Sequence, residues 1–422
     1  MKIQAPRGTR DVLPGESRAW RYLEDTLKNH AARFGFKEIR FPAFEHTELF
    51  LRGIGDATDV VQKEMYTFED KGGRSITLRP EGTASVVRAV VEHGLYAAAL
   101  PLKTFYIAPN FRYEKPAAGR LRQHHQFGAE CFGAESPNAD VELIALADGY
   151  IKRLGLKNVT LTINSIGCPD CRKLYVKRLS AFLESVADGL CGTCRERMSR
   201  NPMRVLDCKS PDCQALVKDA PVILDALCEP CRWHFAEVRA GLDNLGIAYE
   251  IDPKIVRGLD YYTRTVFEFL TPIEGAPRAI CAGGRYDGLV ESLGGPKLAG
   301  VGFGSGLERL LLVMGEQGLI PADTETCKLY IANLDGASNL AAAKLCSELR
   351  GEGINCEHDL CGRGLKAQMK YADKLGAEWV LVLGENELKN NTATLKNMRG
   401  GENINVTLDE ILVTLSGAKG LS

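Results

Sequence analysis

No apolar run in this 422-residue sequence approaches the length of a membrane span, and the opening stretch MKIQAPRGTRDVLP lacks the apolar core of a secretory leader. Both absences predict a cytoplasmic protein with no membrane partner. Net charge is nearly absent as well: 53 basic side chains face 54 acidic ones, so a polyanion must be met by local basic patches rather than by a global field. No G-x-x-x-x-G-K phosphate loop occurs, and Gly302, Gly304 and Gly306 do not complete a dinucleotide fingerprint because Leu307 occupies its last position. The length is enough for two or three domains and a substantial core.

Cysteine, by contrast, is plentiful. Eight of the fourteen cysteines fall between Thr160 and Cys231, which reads as an inserted subdomain over about 165–235. Taken in chain order, Cys168, Cys171, Cys191 and Cys194 have nearly zinc-ribbon spacing, and Cys208, Cys213, Cys228 and Cys231 could form a second tetrahedral set. Structural zinc and unliganded thiols both remain open. Cys131 and Cys281 read as small core residues.

The stretch from Phe105 to Phe132 concentrates charge inside an alternating pattern and predicts a long antiparallel hairpin. Phe105, Ile107, Pro109 and Phe111 share one face; Arg120, Arg122, His124, Gln126, Gly128 and Glu130 share a polar one. Gly128, between Gln126 and Glu130, leaves room for a small polar ligand close to the backbone. A solvated hairpin with surface ion pairs is the competing reading.

Elsewhere Trp20, Leu23, Leu27, Ala31 and Phe34 recur at helical spacing before Gly35. Strands are expected at 38–44, 75–78, 251–255, 262–270 and 300–304. Ser305 and Glu308 suggest a capping box, and Arg309 lies in the first turn of that helix, where the macrodipole disfavours a cation unless an anion is present. After Pro321 a compact α/β unit with a mostly parallel sheet is expected. Arg363, Lys366, Lys370 and Lys374 share one helical face there, which suits either solvent or a nucleic-acid backbone.

Phe111-Arg112-Tyr113-Glu114 through Gly128-Ala129-Glu130, and Gly302-Phe303-Gly304 through Glu308-Arg309, resemble the second and third motifs of class II aminoacyl-tRNA synthetases. Arg257-Gly258-Leu259-Asp260-Tyr261-Tyr262 and Ala282-Gly283-Gly284-Arg285-Tyr286-Asp287-Gly288 resemble the signatures of the histidyl-tRNA synthetase family. The segment from Pro42 to Val61 is similar to the class's first motif, which implies a homodimer, and Arg7 to Asp11 matches the family's N-terminal signature.

That resemblance implies an α+β catalytic domain over 1–326, built on a six-stranded antiparallel sheet with flanking helices. The insertion interrupts it, and an anticodon-binding α/β domain follows over 327–422. It further implies ATP-dependent activation of L-histidine, with Mg2+, and transfer of the histidyl group to the 3′ end of tRNA(His). Arg112, Arg257 and Arg309 would be catalytic; Arg112, Arg120, Arg257, Arg309 and Gly304 would hold ATP. Glu81, Thr83, Gln126, Glu130, Tyr261, Tyr262 and Tyr286 would hold histidine, with Glu130 and Tyr262 bracketing the imidazole. No editing domain is expected, since a pocket that hydrogen-bonds a polar substrate rejects analogues lacking those groups. The alternative is a regulatory paralogue that senses histidine without charging tRNA. Such paralogues lack the anticodon domain and lose signature arginines, whereas this sequence keeps both.

Overall fold

The computed structural model describes residues 3–55, 58, 60–206, 208, 210–255, 258–273, 276–322 and 327–417. Two compact units divide the chain, Met1–Pro321 and Ala322–Ser422. In the first, the strands are β1 (Lys37–Glu38), β2 (Phe44–His46), β3 (Tyr66–Glu69), β4 (Ser75–Leu78), β5 (Leu102–Phe111) and β6 (Gln123–Phe132). They continue with β7 (Thr160–Ser165), β8 (Glu250–Ile251), β9 (Thr263–Ile273), β10 (Ala276–Arg285) and β11 (Gly300–Gly306).

The main sheet has eight strands in the order β1-β5-β6-β11-β10-β9-β7-β8. This corrects the expected six-stranded antiparallel sheet. The six central strands do pair antiparallel, but β1 joins β5 and β8 joins β7 in parallel, so the whole is mixed. Both additions are two residues long, too short for alternation to reveal them. The run at 38–44 is accordingly not one strand, and 251–255 is a strand only at its start. A smaller sheet, β2-β4-β3, stands apart.

The hairpin forms as β5 and β6, with Phe105 opposite Ala129, Tyr106 opposite Gly128 and Ala108 opposite Gln126. Period-two alternation sends Phe105, Phe127, Ala129 and Cys131 into a core shared with Phe267, Phe269, Cys281 and Phe303. The helix Pro14–Arg33 packs Trp20, Leu23, Leu27 and Ala31 onto that core. Its start carries Pro14 in the first turn, and beyond its end Gly35 takes a φ of 78° that a branched residue would resist. Burying a side chain such as Leu23 or Phe127 contributes about 1.5–3 kcal/mol. The helices Asn138–Arg153 and Glu229–Asn244 cover the same face.

Arg285, fully buried, clamps the end of β10 to that layer: its Nε donates to Asp140 at 3.1 Å, Nη1 to the carbonyl of Ala134 at 3.0 Å and Nη2 to that of Ser136 at 3.1 Å. Asp140 also faces His234 at 3.3 Å and Arg285 also reaches Asp287 at 3.2 Å, so the pair is the centre of a small network, and removing one member of such a buried pair costs about 3–5 kcal/mol. The arginine of this signature is therefore architectural.

The cysteines do not group in chain order. Cys168, Cys171, Cys228 and Cys231 form one cluster, and Cys191, Cys194, Cys208 and Cys213 another. The chain leaves β7, makes the helices Pro169–Ser185, Gly192–Arg200 and Pro211–Leu216, and returns through Glu229–Asn244, so its first and last cysteine pairs meet at the root. The inner pairs meet within a separate small core of Tyr175, Leu179, Leu183, Met203, Val205 and Ile223.

The second unit holds β12 (Leu329–Asn333), β13 (Cys356–His358), β14 (Trp379–Leu383), β15 (Thr392–Asn397) and β16 (Ile404–Thr407), ordered β13-β12-β14-β15-β16. Only the first three strands run parallel; β15 and β16 add antiparallel, so the expected mostly parallel sheet is mixed. The helix Leu365–Lys374 exposes Lys366, Lys370 and Lys374. Arg363 precedes that helix and is not part of its face: it pairs with Asp359 at 3.0 Å and lies 4.4 Å over the Tyr371 ring.

Candidate active site

On the face of the main sheet opposite the large core, a cavity of about 710 Å³ opens over β5, β6, β10 and β11. Its two ends differ in chemistry. One is lined by Glu81, Thr83, Tyr106, Gln126, Tyr261 and Tyr262; the other by Arg112, Arg120, Arg278, Arg309 and His124.

At the acidic end, Glu81 leads into the helix Thr83–Glu92 and accepts from the backbone N–H of Thr83 at 2.7 Å and of Ala84 at 2.8 Å. Those groups are orphan donors of the first turn, so the carboxylate is locked by the helix it caps. The Thr83 hydroxyl donates to Glu130 Oε1 at 2.7 Å and the Tyr286 hydroxyl to Glu130 Oε2 at 2.5 Å. Glu130 is fully buried, and with Tyr286 it stands behind the cavity wall rather than on it. Burial pushes its carboxyl up to about 8, against the hydroxyl donors that stabilise the anion, and neighbouring Glu81 adds to the rise. Glu81 is also raised, chiefly by burial. Two acids linked by one threonine thus await a cation or an N–H donor.

Gln126 Oε1 accepts from Asn110 Nδ2 at 2.9 Å and from the Tyr106 hydroxyl at 3.4 Å. Tyr106 overturns one expectation. The space over Gly128 belongs to its ring, which any Cβ at Gly128 or Gly82 would overlap, and not to a ligand. Across the sheet, Gly302 leaves room for the Glu130 carboxylate and Gly304 for the Gln126 amide. Glycine at these positions shapes the polar floor by omission.

At the basic end, Arg112 Nε donates to the carbonyl of Pro80 at 2.7 Å, and Arg309 Nη1 to that of Ala279 at 2.6 Å. Burial, then the charges of Arg120, Arg278 and Arg112, pull Arg309 below the usual guanidinium range. Burial and three of the same arginines drive His124 down to about 3, leaving it neutral. Arg120 is partly answered by an ion pair with Glu114. Clustered guanidinium groups on one wall form a receptor for several anionic oxygens.

The expected capping box is absent. Ser305 belongs to β11 and donates to the carbonyl of Ile280 at 2.7 Å, while Glu308 accepts from His125 N at 2.9 Å and Nδ1 at 2.9 Å, tying its helix to β6. Strand continuation through Gly306 takes Ser305 out of capping position. Arg309 does lie in the first turn. Arg257 lies outside the described residues. Tyr106 and Arg278 are wall residues that sequence reasoning did not single out, whereas His124 was placed on the polar face by parity but given no role. Arg278 carried no signal, since its strand is defined only by pairing with β9 and β11.

The family profile described as histidyl-tRNA synthetase matches residues 8–170 and 212–310, and one described as anticodon binding domain matches 328–417. A histidine–tRNA ligase of Caldanaerobacter subterraneus subsp. tengcongensis is 53% identical over 411 residues, 97% of this chain and 99% of that protein. One from Acetivibrio thermocellus is 51% identical over 415 residues, 98% and 100% of the two chains. The crystal structure of apo S. aureus histidyl-tRNA synthetase superposes with a TM-score of 0.83 at 42% identity, covering 98% of this chain and 100% of that one. A Bacillus halodurans structure titled as ATP phosphoribosyltransferase regulatory subunit/histidyl-tRNA synthetase shares the fold at 22% identity and a TM-score of 0.65. With a profile covering more than half the chain and relatives alike over nearly its whole length, this protein belongs to the histidyl-tRNA synthetase family.

Proposed function

We propose that this chain activates L-histidine with ATP and transfers the histidyl group to the 3′ end of tRNA(His). The observation that carries the reading is one cavity whose two ends suit the two parts of a histidyl-adenylate. The buried acids and tyrosines face a cationic, hydrogen-bonding amino acid, and the arginines face phosphate. Charging is favoured over a purely regulatory role by the anticodon-domain match over residues 328–417 and the full-length likeness to ligases.

In this reading Glu81, Thr83 and Gln126 receive the ammonium group. Tyr261 and Tyr262, tilted against each other with centroids 4.7 Å apart, flank the imidazole. Glu130 is set just behind the wall, held by Thr83 and Tyr286; in this reading the imidazole N–H reaches it as histidine seats, so that it sets which ring nitrogen keeps its proton. Arg112 orients the histidine carboxylate against the α-phosphate. As the carboxylate oxygen attacks phosphorus and pyrophosphate leaves, Arg257 stabilises the charge developing there, and Arg120 and Arg309 hold the departing phosphates with Mg2+. Gly304 lines the nucleotide's floor and, by leaving room for the Gln126 amide, keeps that side chain out of the way. A terminal ribose hydroxyl of tRNA then attacks the mixed anhydride and releases AMP.

The rest of the molecule divides the remaining tasks. Residues 1–326 carry the chemistry, with the insertion at about 165–235, and 327–422 read the anticodon, where Lys366, Lys370 and Lys374 can meet phosphates. Phe44 and Phe68, exposed on the small sheet, support a homodimer through the 42–61 region. No described helix is long and apolar enough to cross a membrane. In this reading the protein works in the cytoplasm, where its proposed substrates are.

The test is pyrophosphate exchange into ATP measured with each of the twenty amino acids, followed by tRNA aminoacylation. Exchange dependent on histidine alone and charging of tRNA(His) are expected. Exchange without charging would return the regulatory reading.

A further inference from the structure

We infer that the insertion is built around two tetrathiolate zinc sites: a root site of Cys168, Cys171, Cys228 and Cys231, and an outer site of Cys191, Cys194, Cys208 and Cys213. Within each set all four sulfurs lie within 4.8 Å of one another. Four sulfurs at about 2.3 Å from a tetrahedral zinc sit about 3.8 Å apart. The observed separations bracket that value: Cys168 to Cys171 at 3.6 Å, Cys168 to Cys228 at 3.9 Å and Cys191 to Cys208 at 4.0 Å. Bonded disulfide sulfurs would be about 2.05 Å apart. Fourfold mutual proximity is also what a metal demands and a disulfide cannot use.

The backbone around the sulfurs is arranged for thiolates. Cys168, Cys191 and Cys228 each immediately precede a helix, of 17, 9 and 16 residues, and Cys171, Cys194 and Cys231 sit in the first turns. Helix N-termini stabilise the anions that remain when the thiols surrender their protons to bind zinc. Backbone N–H groups of Cys228 and Cys191 reach Cys171 Sγ at 3.1 Å and Cys213 Sγ at 3.3 Å, the outer hydrogen bonds that offset the double negative charge of a four-thiolate zinc site. Four soft sulfur ligands with no open position describe a structural site. The stretch the family profile leaves unmatched, 171–211, contains most of the outer site, so this metal lies outside the part of the chain that the catalytic profile covers.

The root site has a further consequence. Arg172, next to Cys171, donates to the carbonyls of Asp260 (3.2 Å) and Tyr262, and Arg264 N donates to Gly167 O at 2.8 Å. The root zinc therefore braces the segment bearing Tyr261 and Tyr262, which line the cavity. The outer site closes the small core around Tyr175 and Val205 and touches the same segment more lightly, through Asn201 Nδ2 donating to Asp260 Oδ1 at 3.4 Å, while Leu206 and Gln214 beside its cysteines line the cavity.

Metal counting on the full-length protein tests this independently of the aminoacylation reading. Two zinc ions per chain are expected by native mass spectrometry and elemental analysis, released when a mercurial titrates the thiols. Cobalt should replace them with the thiolate charge-transfer and tetrahedral d–d absorption of two equivalents. Fewer than two ions, iron in their place, or eight reactive thiols with no cobalt uptake in anaerobically prepared protein would overturn the proposal. Pairing is resolved by double variants. C171S/C231S and C194S/C213S should each keep one zinc, whereas C171S/C194S should lose both. The reverse pattern would restore the chain-order sets and overturn these. Loss of the root zinc should raise the histidine KM several-fold, and by more than loss of the outer zinc does; equal effects would remove the bracing role.

Discussion

The two ends of the cavity are prepared for their ligands in opposite ways. At the acidic end every carboxylate oxygen of Glu81 and Glu130 already has a hydrogen-bond donor, supplied by Thr83, Ala84 and Tyr286, and the group is buried beneath the sheet's glycines. At the basic end the arginines repel one another, and Arg309 is held below its ordinary range by burial first and by those neighbours second. In the proposed reading the first is a socket with its hydrogen bonds already in place, and the second a charged surface that phosphate would complete. Selectivity should therefore reside in hydrogen bonds at the acidic end, and rate acceleration in electrostatics at the basic end.

The sharpest break of that contrast is Arg309→Ala. Losing a preorganised charge at the phosphates should cut histidine-dependent pyrophosphate exchange by about a hundred- to a thousand-fold. Histidine affinity, measured by calorimetry, should hold, and thermal stability should not fall, since mutual repulsion is relieved. A matching loss of histidine binding would show that the two ends are not separable.

Glu130→Gln probes the other end. The amide cannot accept from both hydroxyls and the ligand as the carboxylate does, and hydrogen bonds to a buried charged group are worth about 1.5–3 kcal/mol, so histidine should bind about ten- to a hundred-fold more weakly. ATP affinity should stay within a factor of two or so. Equal losses for both ligands would assign Glu130 a general packing role.

A smaller effect should appear in the pH dependence. With its carboxyl at about 8 in the free protein, Glu130 must release a proton to receive an N–H donor as an anion. Histidine affinity should therefore rise with pH up to about 8, by at most tenfold per unit, with proton release detectable by calorimetry in buffers of different ionisation heat. Stability takes the opposite sign. The folded chain retains a proton that the unfolded one loses near 4.5, so this contribution is complete below that pH and disappears as pH rises through about 8. Glu130→Gln should flatten both slopes.

Least of all should follow from changing the exposed lysines of the second unit. Replacing Lys366, Lys370 and Lys374 by alanine should weaken tRNA binding a few-fold and reduce its salt dependence by up to about three counterions' worth, leaving pyrophosphate exchange intact. An unchanged salt slope would place the phosphate contacts elsewhere.

What the sequence alone determined was whatever rests on local periodicity or on a run of consecutive residues. The alternation of Phe105 to Phe132 fixes which side chains face the core and which face the cavity, because a strand's period is two whatever it pairs with. The spacing of Trp20, Leu23, Leu27 and Ala31 specifies its helix for the same reason. Contiguous signatures pointed to Arg112, Arg309, Tyr261 and Tyr262, which line the cavity. The tertiary structure decided everything that depends on partners distant in the chain. Tyr106 fills the space over Gly128; Glu130 withdraws behind Thr83; Ser305 continues a strand and so cannot cap a helix; two-residue strands join the sheet edges only because β5 and β7 are there to receive them. The cysteines show the limit most plainly. Spacing along the chain gathers neighbours in order, but a chain that leaves the sheet at β7 and returns along the helix Glu229–Asn244 brings its outermost pairs together, and no count of intervening residues contains that return path.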